Sequence, residues 1–357
     1  MLKRFKLRFV LLAFAAVSLI AGLWAGAARL GLDLPALHQE LPSNHGPVMV
    51  VGFPGILIAL ERAVALDRLW PYGAALLAGG SVLTILSGFP PEFGPALALG
   101  GSCLLTAVFV SLHRQAPGAH FTVMILSGVA ASVGNALWLN AQPFNLAAPW
   151  WAGFLVLMIA AERLQLSRVM QRPARASWLF NASVAVLLIG LVISLPAFDI
   201  GIRIAGLALL ALALWLFRYD IARRTVREHG LPRYMAVSLL SGYFWLAAAG
   251  VLWIAFAHDF VAGPKYDAML HAVFLGFVFS MIFAHAPVIF PSITGGALPF
   301  RRGFYLHLFL LHGSLLLRVA GDLFGSPLVQ QWGGVGNIVA VLLFLFNNLR
   351  SVMIARK

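Results

Sequence analysis

The fold class this sequence predicts is an all-α, multi-pass membrane protein, and three observations carry that prediction. Hydrophobic residues make up 61% of the 357-residue chain, charged residues only 10%, and the mean hydropathy is +0.91. A soluble domain of this length needs a polar surface, and no segment here is polar enough to supply one. Runs able to cross about 30 Å of hydrocarbon at about 1.5 Å per residue recur about twelve times. The third observation is that the cationic residues are distributed between these runs with one strong bias.

In chain order the runs fall near residues 9–29, 47–66, 70–88, 93–112, 121–139, 149–166, 178–195, 200–217, 234–256, 267–290, 304–323 and 331–349. The first follows the basic start "MLKRFKLRF", as a signal peptide would. Its apolar stretch from Phe9 to Leu30 is too long for a signal core and has no clear cleavage box, so it reads as a retained helix. Pro, Gly and charge mark the breaks, as in "GFPPEFGP", "HRQAPGAH" and "FPSITGGALPFRRG". The whole chain, 1–357, reads as one transmembrane domain. Its single cysteine, Cys103, lies in an apolar run, which excludes a disulfide, a C-x-x-C-H haem attachment and a cysteine-held cluster. Any metal falls to His, Met or carboxylate.

The net charge is +13. With the N-terminus cytoplasmic, 21 of the 25 Lys and Arg collect on inner segments, leaving only Arg29, Arg203, Lys265 and Arg318 outside. That is the positive-inside bias of a membrane protein, so the basic excess records topology and implies no nucleic-acid partner. The partner it implies is a lipid bilayer, with both termini cytoplasmic. The basic loop "TVREHGLPRYM" reads the same way.

A repeat runs through the second, sixth and tenth spans, which contain "GFPGILIALER", "GFLVLMIAAER" and "GFVFSMIFAHA". Each has Gly-Phe followed, nine residues after the Gly, by a polar residue: Glu61, Glu162 and His285. Spans four apart with one register predict three four-helix units, near 1–115, 116–220 and 221–357.

Intramembrane ionisable groups are functional by default, and here the histidines sort by depth. "HAVFLGFVFSMIFAH" carries His271 and His285. Fourteen α-helical steps separate them by about 21 Å and return both to within roughly 40° of one face. His45, in "LPSNHGPVMVVGF", stands at the outer end of the second span, and His307 and His312, in "YLHLFLLHG", occupy the inner half of the eleventh. Two layers result: an outer pair of His45 and His271, and an inner group of His285, His307 and His312 with Glu61 and Glu162. Two imidazoles from different helices can hold a haem iron on both faces, an iron bond replacing the hydrogen bond that a buried ring nitrogen lacks. Gly46, Gly52 and Gly276 would leave room for the flat macrocycle. The inner group would supply nitrogen and oxygen ligands to a second transition metal such as copper, or carry protons.

Twelve helices in three units of four, with histidines on the second and tenth, resemble the catalytic subunit of haem-copper oxidases and nitric oxide reductases. The closer likeness is to the NnrS family, twelve-helix haem and copper membrane proteins linked to nitric oxide in denitrifying bacteria. "NHGPVMVVGF" resembles its His-bearing early helix, and "LHAVFLGFVFSMIFAHAP" followed by "GGALPFRRG" its later His region and basic loop. The resemblance implies that His45 and His271 are the axial ligands of a b-type haem (heme b) near the outer face. It also implies a small gaseous ligand such as nitric oxide, and electrons from a quinol or a separate cytochrome. The sequence departs from the oxidase pattern in its sixth and seventh spans, "WWAGFLVLMIAAERL" and "WLFNASVAVLLIGLVISL", which contain no His for the usual copper. Two classes of function follow: a haem protein that handles nitric oxide or a related gas, or a metal-ion or proton transporter that uses buried His and Glu.

Overall fold

A computed structural model describes residues 2–35, 37–167, 170 and 173–355. The protein is an all-helical, multi-pass membrane protein: 82% of it is helix, and no strand occurs among the described residues. Its main helices are α1 (Leu2–Arg29), α2 (His45–Leu66), α3 (Tyr72–Leu86), α4 (Phe93–Gln115), α5 (Ala119–Leu139) and α6 (Phe144–Leu166). They continue with α7 (Ala174–Ile193), α8 (Phe198–Tyr219), α9 (Leu231–Ala255), α10 (Pro264–Thr294), α11 (Phe304–Phe324) and α12 (Pro327–Ala355). Eleven of these are long and apolar enough to cross a membrane. The difference from the twelve expected lies in α3, an apolar helix of 15 residues, or about 22 Å.

The chain packs as two compact units, residues 1–154 with 292–295, and residues 155–291 with 296–357. In the first, α4 and α5 form a tight hairpin, and α1 and α3 pack around α2. Buried Asn135 of α5 ties three helices together. Its Nδ2 donates to the Ala98 carbonyl at 3.0 Å and to Ser102 Oγ at 3.1 Å, and its Oδ1 accepts from Trp151 Nε1 at 3.0 Å. In hydrocarbon such polar bonds supply association that apolar contact with lipid-like neighbours cannot. At the end of α3, Gly88 takes φ +66° and Phe89 N–H reaches back to the Thr84 carbonyl at 3.0 Å, closing the helix in a left-handed cap.

In the second unit α7, α8 and α9 pack in sequence, α11 pairs with α12, and α9 lies along α10. Small residues set these distances. A Cβ built at Gly250 of α9 would lie 2.7 Å from both the Gly206 carbonyl oxygen and the Leu210 nitrogen of α8, so the two backbones touch. Gly250→Leu is therefore expected to cost about 1–3 kcal/mol or more, read as a lowered thermal unfolding midpoint in detergent. Gly303→Ala, a site with nothing within 4 Å, should leave the midpoint unchanged.

Two helices are not α-helical throughout. Val48–Gly55 of α2 and Ala272–Phe279 of α10 are π-helical, eight residues each. Gly-Phe occupies the fifth and sixth positions of both segments, as Gly52-Phe53 and Gly276-Phe277. The third Gly-Phe pair, Gly153-Phe154, lies in continuous α-helix. A π-turn bonds residue i to i+5 and holds more residues than an α-turn. The expected common face for His271 and His285 assumed about 100° per residue, and the π-segment between them removes that basis.

Candidate functional site

Each π-segment is preceded by one of the two outer histidines. His45 is the first residue of α2 and half-buried. Its ring lies in a notch on α1 made by Gly22 and Gly26: Nδ1 donates to the Gly22 carbonyl at 2.8 Å, and a Cβ at Gly26 would stand 3.0 Å from the ring carbon Cε1. Because a carbonyl only accepts, the bond fixes the proton on Nδ1, and in the neutral ring Nε2 carries the lone pair. Further along α2, a small cavity of about 30 Å³ lies among Val50, Val51, Ala78, Asn135 and Trp151.

His271 is anchored in the same sense by its own helix. Its Nδ1 donates to the Asp267 backbone carbonyl at 2.9 Å and lies 3.2 Å from Asp267 Oδ1. That carboxylate is gripped at both oxygens by Arg318 of α11, Nε to Oδ2 at 2.7 Å and Nη2 to Oδ1 at 2.8 Å. Asp322, one turn beyond Arg318, faces the same cluster, is 4% exposed and lies beside Asp267 and Gln330. Asp322→Asn keeps the shape and offers Asp267 a donor. It is expected to match or raise the wild-type unfolding midpoint; a loss of more than about 2 kcal/mol would mean the native carboxylate has a donor of its own.

The glycines do not keep space for a macrocycle in the way expected. A Cβ at Gly52 would stand 2.6 Å from Val82 Cγ2 and 2.8 Å from Ser18 Oγ, so α1 and α3 fill that position. At Gly276 the Trp245 side chain of α9 takes the space, with Cβ 2.5 Å and Cδ2 2.8 Å from the built atom. Only at Gly46 is the nearest neighbour, Trp151 Cζ3, an ordinary contact at 3.8 Å. The first two glycines serve helix packing.

The expected inner metal group is not assembled. Among the described residues, no set of three or more His, Cys, Asp or Glu side chains could hold a metal ion. The reason is visible at each ring. His307, fully buried, has Nε2 on the Tyr234 hydroxyl at 3.0 Å and Nδ1 on Asn347 Nδ2 at 3.1 Å, so both nitrogens are committed to protein. His312 Nδ1 accepts from Trp245 Nε1 at 3.0 Å, which places the ring proton on Nε2 and leaves no lone pair for a metal. His285 Nδ1 donates to the Met281 carbonyl at 2.7 Å, and Nε2 faces Arg163 Nη1 at 3.4 Å, a cation where a metal would have to sit. Glu61 pairs with its neighbour Arg62 at 3.0 Å. Glu162 is half-buried on α6.

The dominant charge in this region comes from a residue the sequence reading passed over. Asp220, just after α8, is wholly buried and bonded bidentately by Arg163 of α6, Nε at 2.8 Å and Nη2 at 2.9 Å. Ser167 Oγ at 3.3 Å and Ala222 N–H at 2.8 Å complete its shell, and buried Tyr243 stands beside the pair. Asp267 and Asp322 were passed over too, though both had a signal: Asp267 lies four residues before His271 and Asp322 four after Arg318.

A family model described as "Domain of unknown function (DUF8744)" matches residues 8–353. The chain belongs to this family. No curated protein matches it. The match takes in all the groups just described, from Ser18 to Asn347, so the two π-segments and both ion-pair clusters lie within one DUF8744 domain.

Proposed function

We propose that this DUF8744 protein is a b-type haem protein of the bacterial inner membrane, with His45 and His271 as iron ligands, which handles nitric oxide or a related small gas or passes electrons to it. The observation that carries the reading is the shared arrangement of the two histidines. Each leads into an eight-residue π-helix with Gly-Phe at the fifth and sixth positions, and each ring donates Nδ1–H to a backbone carbonyl. A ligating imidazole characteristically donates its other N–H in this way, which sets the tautomer, orients the ring and raises its basicity. At His271 the Asp267 carboxylate adds to that effect. Long π-segments are rare and recur at functional sites. The likeness of "NHGPVMVVGF" and "LHAVFLGFVFSMIFAHAP" to NnrS proteins points the same way.

Haem, when bound, would supply an iron that changes oxidation state and so passes electrons; with both imidazoles held as ligands, a gas would bind only in place of one of them. The chain's own residues do the rest: Gly22 and Asp267 hold the two imidazoles, while Arg318 fixes Asp267. The reading assigns no copper, because both His307 nitrogens are bonded and the His312 lone pair on Nδ1 is taken by Trp245 Nε1. The cationic bias of the loops supports cytoplasmic termini, and, with no C-x-x-C-H haem attachment in the sequence, electrons would come from a quinol or a separate cytochrome. A second reading, a proton or ion pathway, draws on Asp322, a buried carboxyl that faces the Asp267 carboxylate near the end of α11.

The visible spectrum of detergent-purified protein from haem-replete cells separates the two. The haem reading expects a sharp Soret band and, on reduction, resolved α and β bands. A colourless preparation favours the pathway.

A further inference from the structure

Beside the Arg163–Asp220 pair, Met170, Pro173, the start of α7, the end of α8 and residues 220–228 after it line an open cavity of about 500 Å³. Five arginines line it: Arg175, Arg218, Arg223, Arg224 and Arg227. Two carboxylates share its wall, and they are not equivalent. Asp220 has its charge met by the buried guanidinium of Arg163 and its oxygens held by four donors, so it does not offset the lining. Glu228 alone opposes five cations. The arginines make no ion pair among the described residues. Arg223 donates to the Arg218 carbonyl at 2.9 Å, and the Arg218 guanidinium lies over the Tyr219 ring at 5.3 Å.

A positive-inside bias explains why arginines are on this side of the membrane, but it does not require that five of them face one concave space. Like charges gathered over low-dielectric walls repel one another and focus a positive potential into the cavity. An anion relieves the repulsion. Guanidinium groups favour planar, bidentate partners, above all phosphate. The cavity adjoins the ends of α6, α7 and α8, the depth at which the polar part of a bilayer lies.

We propose that this cavity is a binding site for a phosphate-bearing anion. The chemistry is common to an anionic phospholipid headgroup and to a soluble phosphate compound, and the test separates the two sources. The full-length protein is reconstituted into nanodiscs of phosphatidylcholine with or without phosphatidylglycerol, and separately titrated in detergent with inorganic phosphate and pyrophosphate. The thermal unfolding midpoint is read in each case, since a ligand that binds only the folded state raises it. Wild type is compared with R175Q/R223Q/R227Q and with R114Q/R233Q/R350Q, which removes three exposed arginines outside the cavity.

A midpoint raised by phosphatidylglycerol in wild type and the control triple, but not in the cavity triple, assigns a lipid headgroup. The same pattern with pyrophosphate assigns a soluble anion, with roughly tenfold weaker binding for each guanidinium removed. Should the cavity triple fail to fold, R227Q alone carries the test through that tenfold change. Equal responses in the two triples, or no response of wild type to any probe, would overturn the proposal.

Discussion

His45→Ala and His271→Ala are each expected to remove the haem spectrum of the purified protein, whereas His307→Ala leaves it nearly unchanged. The two outer rings have their Nδ1–H groups anchored to the Gly22 and Asp267 carbonyls and direct their lone pairs through Nε2. His307 has both nitrogens bonded to Tyr234 and Asn347. Loss of an iron ligand should exceed the roughly 10–100-fold that loss of a supporting partner costs, and Asp267→Asn gives that smaller effect for comparison. Haem content per protein, measured beside the spectrum, distinguishes a lost cofactor from a changed one. Equal loss in all three alanine variants would show that the rings act through folding and not through iron.

Arg163→Ala and Asp220→Ala should be among the most destabilising changes in the protein. The pair is bidentate, with side-chain exposures of 3% and 0%. Removing one member leaves the other charge buried without its counter-ion, which costs about 3–5 kcal/mol. The double variant R163A/D220A is expected to lose less than the sum of the singles, because it removes both charges together. Arg203→Ala should cost far less, about 1 kcal/mol or below, since the Arg203–Asp199 pair is exposed and only the bond to the Ile254 carbonyl is lost besides. Unfolding midpoints of the five proteins in one detergent provide the check. An additive double variant would mean that the two side chains do not depend on each other.

Much of the fold was legible in the sequence. A chain with so little polar surface leaves few options, because in lipid a helix satisfies its own backbone. Each of the twelve runs read from hydropathy became a helix, with α3 falling short of a full span because "GFPPEFGP" cuts it early. The π-segments were not legible. Hydropathy and Gly-Phe spacing look alike in "GFLVLMIAAER", which is α-helical, and in "GFVFSMIFAHA", whose first four residues end a π-segment. What separates them is a change in hydrogen-bond register set by packing.

The site residues divide in a similar way. His45 and His271 stand three residues and one residue before the π-segments, and their spacings from Gly-Phe, seven residues and five, carried no sign of that geometry in the sequence. The inner metal group failed because depth was used as a proxy for proximity: His285, His307 and His312 lie in the inner halves of their spans but turn to Arg163, Tyr234 and Trp245. Asp220 was passed over, lying between the eighth run and the basic loop "TVREHGLPRYM". A lone carboxylate among arginines is itself a signal, since a buried Arg needs a counter-charge and few are available in a chain with 12 acidic residues.

Low-temperature electron paramagnetic resonance of the oxidised, purified protein tests the central claim most directly. Coordination of iron by the imidazoles of His45 and His271 predicts a low-spin ferric signal of bis-histidine type, absent from either alanine variant. A high-spin signal alone, or a metal-free protein from haem-replete cells, would contradict it.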